Sequence, residues 1–100
     1  MRLRSGPVAH ELFVRELRVS PRVAEKILTK HGLHADEVRA TIEEQGRWRF
    51  SWQHHPQRGW RAIISTIIRD RECLVVLYPP QDGPGEAWNL GSAYPAETGE

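Results

Sequence analysis

Gly46-Arg47-Trp48-Arg49-Phe50-Ser51-Trp52-Gln53 marks the point at which the period of the chain changes from 3.6 to 2, and the expected architecture follows from that change. Trp48, Phe50 and Trp52 alternate with Arg47, Arg49, Ser51 and Gln53. That pattern predicts a strand with an aromatic face turned to the core and a polar, cationic face turned to solvent. Downstream, His54-His55-Pro56-Gln57-Arg58-Gly59 has turn chemistry. Residues 60–69 are rich in β-branched apolar side chains, so the two runs predict a hairpin. Asp70-Arg71-Glu72 reads as the next turn. Cys73 to Tyr78 is a continuous apolar run, as a strand covered on both faces would be, and Pro79-Pro80 ends it. Beyond a loop at Gln81–Gly85, Trp88, Leu90 and Tyr94 are expected to line one face of a last strand, with Pro95–Glu100 as a frayed acidic tail.

Upstream of Gly46 the spacing is helical. Ser20 is a favoured N-cap and Pro21 suits the first helical position, where its missing amide costs nothing. Val23, Ala24, Ile27 and Leu28 form an apolar stripe, Lys30 and His31 fall in the last turn, and Gly32 stops the helix. A second helix is predicted from an N-cap at His34, with Leu33 and Val38 as a hydrophobic staple, Asp36 and Glu37 at its positive end, and Gly46 as terminator. Leu17-Arg18-Val19-Ser20 alternates as a short strand, and residues 1–9 read as a loose arm. The expected fold is therefore α+β: a helical hairpin packed on an antiparallel β-sheet meander of about four strands, in one domain over residues 10–95.

Composition narrows the function classes. A chain of 100 residues with four Trp has room for one core. The single cysteine, Cys73, excludes an intrachain disulfide framework and a Cys-based zinc site, and suits a reducing compartment. No apolar run approaches the ~20 residues of a membrane span, and the opening residues lack a secretory signal, so a cytoplasmic protein without membrane partners is expected. Charge is segregated. Residues 47–71 carry six arginines against Asp70, whereas 72–100 carry five acids and no base. Neutralisation of one block by the other within the domain is the plain alternative to a ligand surface.

The chemistry-bearing candidates lie in that basic third. Cys73, inside an apolar run, reads as an inert core thiol. His54 and His55 point to opposite faces of a strand and have no acidic neighbour to complete a metal site, and no phosphate loop or dinucleotide fingerprint is present. Neither metal nor cofactor is expected. Arg47, Arg49, Arg58 and Arg61, with His54, His55, Trp60 and Ser65, make a candidate RNA surface. Arginine forks hold phosphates, an exposed ring such as Trp60 stacks on an unpaired base, and His54 or His55 moves a proton during attack by a ribose 2′-hydroxyl. This requires the guanidinium groups of 47–61 to protrude together into water and not be clamped by Asp82, Glu86 or their neighbours.

Glu25-Lys26-Ile27-Leu28-Thr29-Lys30-His31-Gly32-Leu33, followed by Asp36-Glu37-Val38, resembles the opening of the BrnT-like ribonuclease toxins of the RelE-type toxin-antitoxin superfamily. Gly59-Trp60-Arg61, Cys73–Tyr78 and Asn89-Leu90-Gly91-Ser92-Ala93-Tyr94 are similar to later strands of that family. The resemblance covers roughly residues 17–95. It implies a metal-independent endoribonuclease toxin acting on RNA, with a cognate antitoxin protein as partner, in a toxin-antitoxin complex or a homo-oligomer. The site would use Arg61, with His54 or His55, as catalytic residues, and Arg47, Arg49, Arg58 and Trp60 to bind RNA. The chain departs from the family at Asn89 and Tyr94, where the toxins carry arginines, and Pro95–Glu100 offers no counterpart to the family's C-terminal helix. The alternatives are a non-catalytic interaction module that binds a partner protein or nucleic acid through the basic hairpin, and a small-molecule protein with a cavity lined by Trp60 and Trp88.

Overall fold

The computed structural model describes residues 10–79 and 86–99. The elements run β1 (His10–Phe13), β2 (Glu16–Arg18), α1 (Pro21–His31), α2 (Ala35–Gln45), β3 (Arg47–His55), β4 (Gly59–Ile68), β5 (Arg71–Tyr78) and β6 (Ala87–Pro95). The class is α+β, but the sheet corrects the expectation of a four-stranded meander. Among the described residues it has six strands in the order β1-β3-β4-β5-β6-β2. The β2–β6 pair is parallel and the other pairs are antiparallel. Residues 1–9 and the loop Gln81–Gly85 lie outside the described residues.

The two extra strands come from the irregular segment after residue 9. β1 and β2 are separated only by Val14 and Arg15, yet they occupy opposite edges of the sheet, so the sheet must curl until its edges meet. The connecting backbone bridges the gap directly. Val14 N donates to Gly46 O at 2.7 Å, beside β3, and Arg15 N to Glu86 O at 2.8 Å, beside β6. The side chains of Val14 and Leu17 are accordingly buried. The expected strand at Leu17–Ser20 is β2, which starts one residue earlier and ends two residues earlier.

α1 forms where its caps predict. Ser20 Oγ accepts from Val23 N at 3.2 Å, Pro21 opens the helix, and Gly32 turns the chain at φ 69°. α2 starts after His34, whose side chain makes no cap hydrogen bond, and its end is satisfied from the sheet: buried Trp48 Nε1 donates to Ile42 O at 2.9 Å. The helices follow each other closely, but each packs chiefly on strands, α1 against β6 and α2 against β2 and β4. Between β4 and β5, Arg69 (φ 52°) and Asp70 (φ 65°) form a two-residue turn of left-handed conformation, the geometry that matches strand twist.

Three further expectations are corrected. Trp48 is buried and Phe50 half-buried, but Trp52 is 42% exposed, because β1 pairs only with Arg47–Phe50 and β3 runs on beyond it. Trp88 and Leu90 do not share a face with Tyr94. A register shift places Leu90 opposite Leu77 but Ser92 opposite Val76, and one extra residue reverses every later side chain. The bulged residue is Gly91, and a Cβ there would lie 2.3 Å from the Tyr78 ring. The tail is a turn fastened to β5 instead of a frayed end: Ala96 N donates to Glu72 O at 2.9 Å and Arg71 pairs with Glu97 at 3.5 Å. Among the described residues no helix is long and apolar enough to cross a membrane.

Candidate anion-binding site

Alternation along β3 and β4 puts Gln53, His55 and Arg61 on one face of the hairpin and Trp52, His54 and Trp60 on the other, since Gln53 pairs with Arg61 and His54 with Trp60. On the first face lies a cavity of about 240 Å3 lined by Lys26, Lys30, His31, His55, Gln57, Arg58, Arg61 and Ser92. Four permanent cations and two imidazoles converge there, and among the described residues the lining contains no carboxylate. Such a lining favours a polyvalent anion on electrostatic grounds.

Arg61 is the most fixed of these groups. It is 8% exposed; its Nε donates to Gln53 Oε1 at 2.7 Å, Nη2 donates to the same oxygen, and Nη1 donates to the Tyr78 hydroxyl at 3.4 Å. The fork is thereby held in one orientation before any ligand arrives. On the opposite wall, Lys26 Nζ donates to Gly91 O at 2.9 Å. The bulge thus positions the site from both sides, by anchoring Lys26 and by turning Ser92 (2% exposed) onto the cavity face. His55 Nδ1 accepts from Gln57 N at 3.1 Å and Arg58 N at 3.2 Å. These two amides fix Nδ1 as the acceptor, so the neutral ring carries its proton on Nε2. His31 stacks obliquely near Tyr94, with ring centroids 5.9 Å apart.

The candidates named from sequence divide cleanly. His55, Arg58 and Arg61 line the cavity. His54 and Trp60 do not: they meet edge-on across the hairpin, centroids 5.0 Å apart, on the other face. Arg49 and Arg47 share the cavity's face but lie four and six residues before Gln53, the partner of Arg61, about 13 and 20 Å away at strand rise, and do not line the cavity. Arg47 is also paired with Glu11 at 3.7 Å. Ser65 bonds to Glu72 at 3.1 Å and stands apart from the cavity. Glu86 pairs with Arg15 at 3.2 Å, and Asp82 lies outside the described residues. Among the described residues Trp60 lies with Trp52 in an open depression, whereas Trp88 is buried. Among the described residues no three His, Cys, Asp or Glu side chains converge as a metal site requires.

Sequence reasoning does not single out Lys26, Lys30 and Ser92 as ligand groups, and places His31, which with His34 flanks the interhelical turn, only among possible metal ligands. The apolar stripe of α1 is buried only at Ile27, with Leu28 exposed, and Lys26, Lys30 and His31 lie on polar positions whose destination depends on where the helix docks. The Lys30-His31-Gly32 helix end, which carries part of the resemblance, is the one signal pointing to this wall. No known protein family, curated protein or solved structure matches this chain.

Proposed function

We propose that the chain is a metal-independent endoribonuclease, the toxin component of a type II toxin-antitoxin pair whose antitoxin is a second protein. The observation that supports this reading is the cavity in which Lys26, Lys30, Arg58 and Arg61 surround His31 and His55. An RNA phosphodiester supplies its own nucleophile. The ribose 2′-oxygen forms a bond to phosphorus as the bond to the 5′-oxygen breaks, giving a 2′,3′-cyclic phosphate and a 5′-hydroxyl. His31 accepts the 2′-hydroxyl proton, since His55 has Nδ1 taken up by two amides and its proton on Nε2, and that proton is returned to the departing 5′-oxygen, to which His55 Nε2 donates a hydrogen bond. Arg61, already held by Gln53 and Tyr78, meets the charge that grows on the phosphoryl oxygens without reorganising. The cations that the resemblance would place at residues 89 and 94 come in this chain from α1 and from Arg58.

The test is cleavage of single-stranded RNA by the purified chain in EDTA and in Mg2+, alongside growth on induction. Cleavage that persists in EDTA and falls at least ten-fold in His31→Ala, His55→Ala and Arg58→Ala, but not in Arg49→Ala, supports the reading. Intact RNA in both buffers, with unaffected growth, overturns it; tight RNA binding in that case would place the chain among non-catalytic modules.

A further inference from the structure

The other face of the β3–β4 hairpin carries exposed aromatic surface that the phosphodiester chemistry does not use. Trp60 is 59% exposed and Trp52 42%. The two indoles line an open depression of about 340 Å3. Their relation follows from register. Trp52 is opposite Ala62 and Trp60 is opposite His54, so the tryptophans are diagonal neighbours with the small Ala62 beside them. Diagonal positions in an antiparallel pair are ~7–8 Å apart, enough for one flat ring between two others, each at stacking distance. Each indole meets a second ring: Phe50, two residues before Trp52 on the same strand, edge-on at 4.9 Å, and His54, directly opposite Trp60, at 5.0 Å.

We infer that Trp52 and Trp60 form a clamp for one unpaired base of a single-stranded RNA. The inference rests on the RNA reading of the cavity. The occupant is fixed by what adjoins the clamp. The clamp and the cationic cavity lie on opposite faces of one hairpin, whose turn, Pro56 to Arg58, carries Arg58 into the cavity. A ligand spanning both surfaces needs a phosphate for one and a flat, largely uncharged ring for the other, joined by a flexible chain. Single-stranded nucleic acid has that chemistry, whereas a duplex hides its ring faces in the stack. A free organic cation suits two indoles but is repelled by the neighbouring arginines.

A short single-stranded oligoribonucleotide with 2′-O-methyl groups, which this route cannot cleave, tests the clamp apart from catalysis. Titrated into the full chain, it is expected to quench the exposed indole fluorescence. Trp52→Ala and Trp60→Ala should each weaken its binding by about 5- to 150-fold, and Trp60→Phe should recover most of the loss. Inorganic polyphosphate should bind without quenching and equally well to all these variants, and the same oligonucleotide in a duplex should neither quench nor depend on Trp60. Equal single-strand affinity in wild type and in folded Trp60→Ala, or quenching by duplex, overturns the clamp. Quenching and Trp dependence with no cleavage of unmodified RNA would retain the clamp and remove the ribonuclease.

Discussion

Replacing Gly91 by Ala tests whether the bulge in β6 builds the site. The added Cβ would lie 2.3 Å from Tyr78 Cε2 and 2.7 Å from Cδ2, against the ~3.5–4.0 Å of a relaxed carbon contact. The ring must therefore move by about 1 Å or more, and its hydroxyl already accepts from Arg61 Nη1 at 3.4 Å, near the limit of a hydrogen bond. Overpacking of this kind costs about 1–3 kcal/mol and the broken hydrogen bond about 1, so the variant should be less stable by about 2–4 kcal/mol. With a urea m-value of about 1–1.5 kcal/mol/M for a small domain, the midpoint should fall by about 1.3–4 M. Tyr78→Ala removes the obstruction. The double variant should then be less destabilised than the sum of the two single ones, with a coupling of about 1–2 kcal/mol. RNA cleavage should drop in Gly91→Ala even at low urea, since Arg61 is deprived of a partner. Stability within ~0.5 kcal/mol of wild type, or strict additivity in the cycle, would show that the bulge does not hold Tyr78 and Arg61 in place.

Three other outcomes follow from named contacts. Arg61→Lys keeps the charge but cannot span Gln53 and Tyr78 with one ammonium, so cleavage should fall at least ten-fold while the melting temperature changes by a few degrees; unchanged cleavage would remove the fork from the chemistry. Glu43 Oε2 accepts from Leu17 N at 2.7 Å and so fastens β2, hence Glu43→Ala should cost about 1–3 kcal/mol and Glu43→Gln clearly less, read by urea unfolding. Burial pushes the Cys73 thiol above its usual value near 9.0, more than nearby Arg71 lowers it. The unfolded thiol ionises first, so as pH rises from the unfolded value toward the folded one the native state binds more protons and stability falls. Urea midpoints at about pH 8 and about pH 10 should show a steeper loss in wild type than in Cys73→Ala, and equal slopes would contradict the burial.

What the sequence disclosed, and what it hid, follows from the range of each interaction. The ends of α1 are legible because Ser20, Pro21 and Gly32 act within one turn of their own backbone. β3, β4 and β5 are legible because period-2 alternation and adjacent turns are local signals. The closure of the sheet is not, because β1 and β2 are held by residues from 47 to 89, and four- and three-residue strands are too short to show a period. The face of Tyr94 is hidden because a single unpaired residue inverts the alternation, and a glycine inside a strand pattern is the available warning. Alternation says which face Trp52 is on but not how far the covering strand extends. In the site, His55, Arg58 and Arg61 are legible because strand and turn positions fix their side. Arg47 and Arg49 match them in type and face, and the six and four residues that separate them from Gln53, the partner of Arg61, about 20 and 13 Å, become visible only when distance along the strand is counted.

One cavity, and not the basic third as a whole, is expected to hold the phosphates. The salt dependence of single-stranded RNA affinity in Lys26→Ala, Arg58→Ala and Arg49→Ala distinguishes the two. Each phosphate that a variant no longer neutralises on a single strand should reduce the slope of log K against log salt by about 0.7. That reduction, with weaker binding, is expected in Lys26→Ala and Arg58→Ala, and an unchanged slope in Arg49→Ala. Equal reductions in all three, or a reduction only in Arg49→Ala, would mean that the phosphates lie along the strand and not in the cavity.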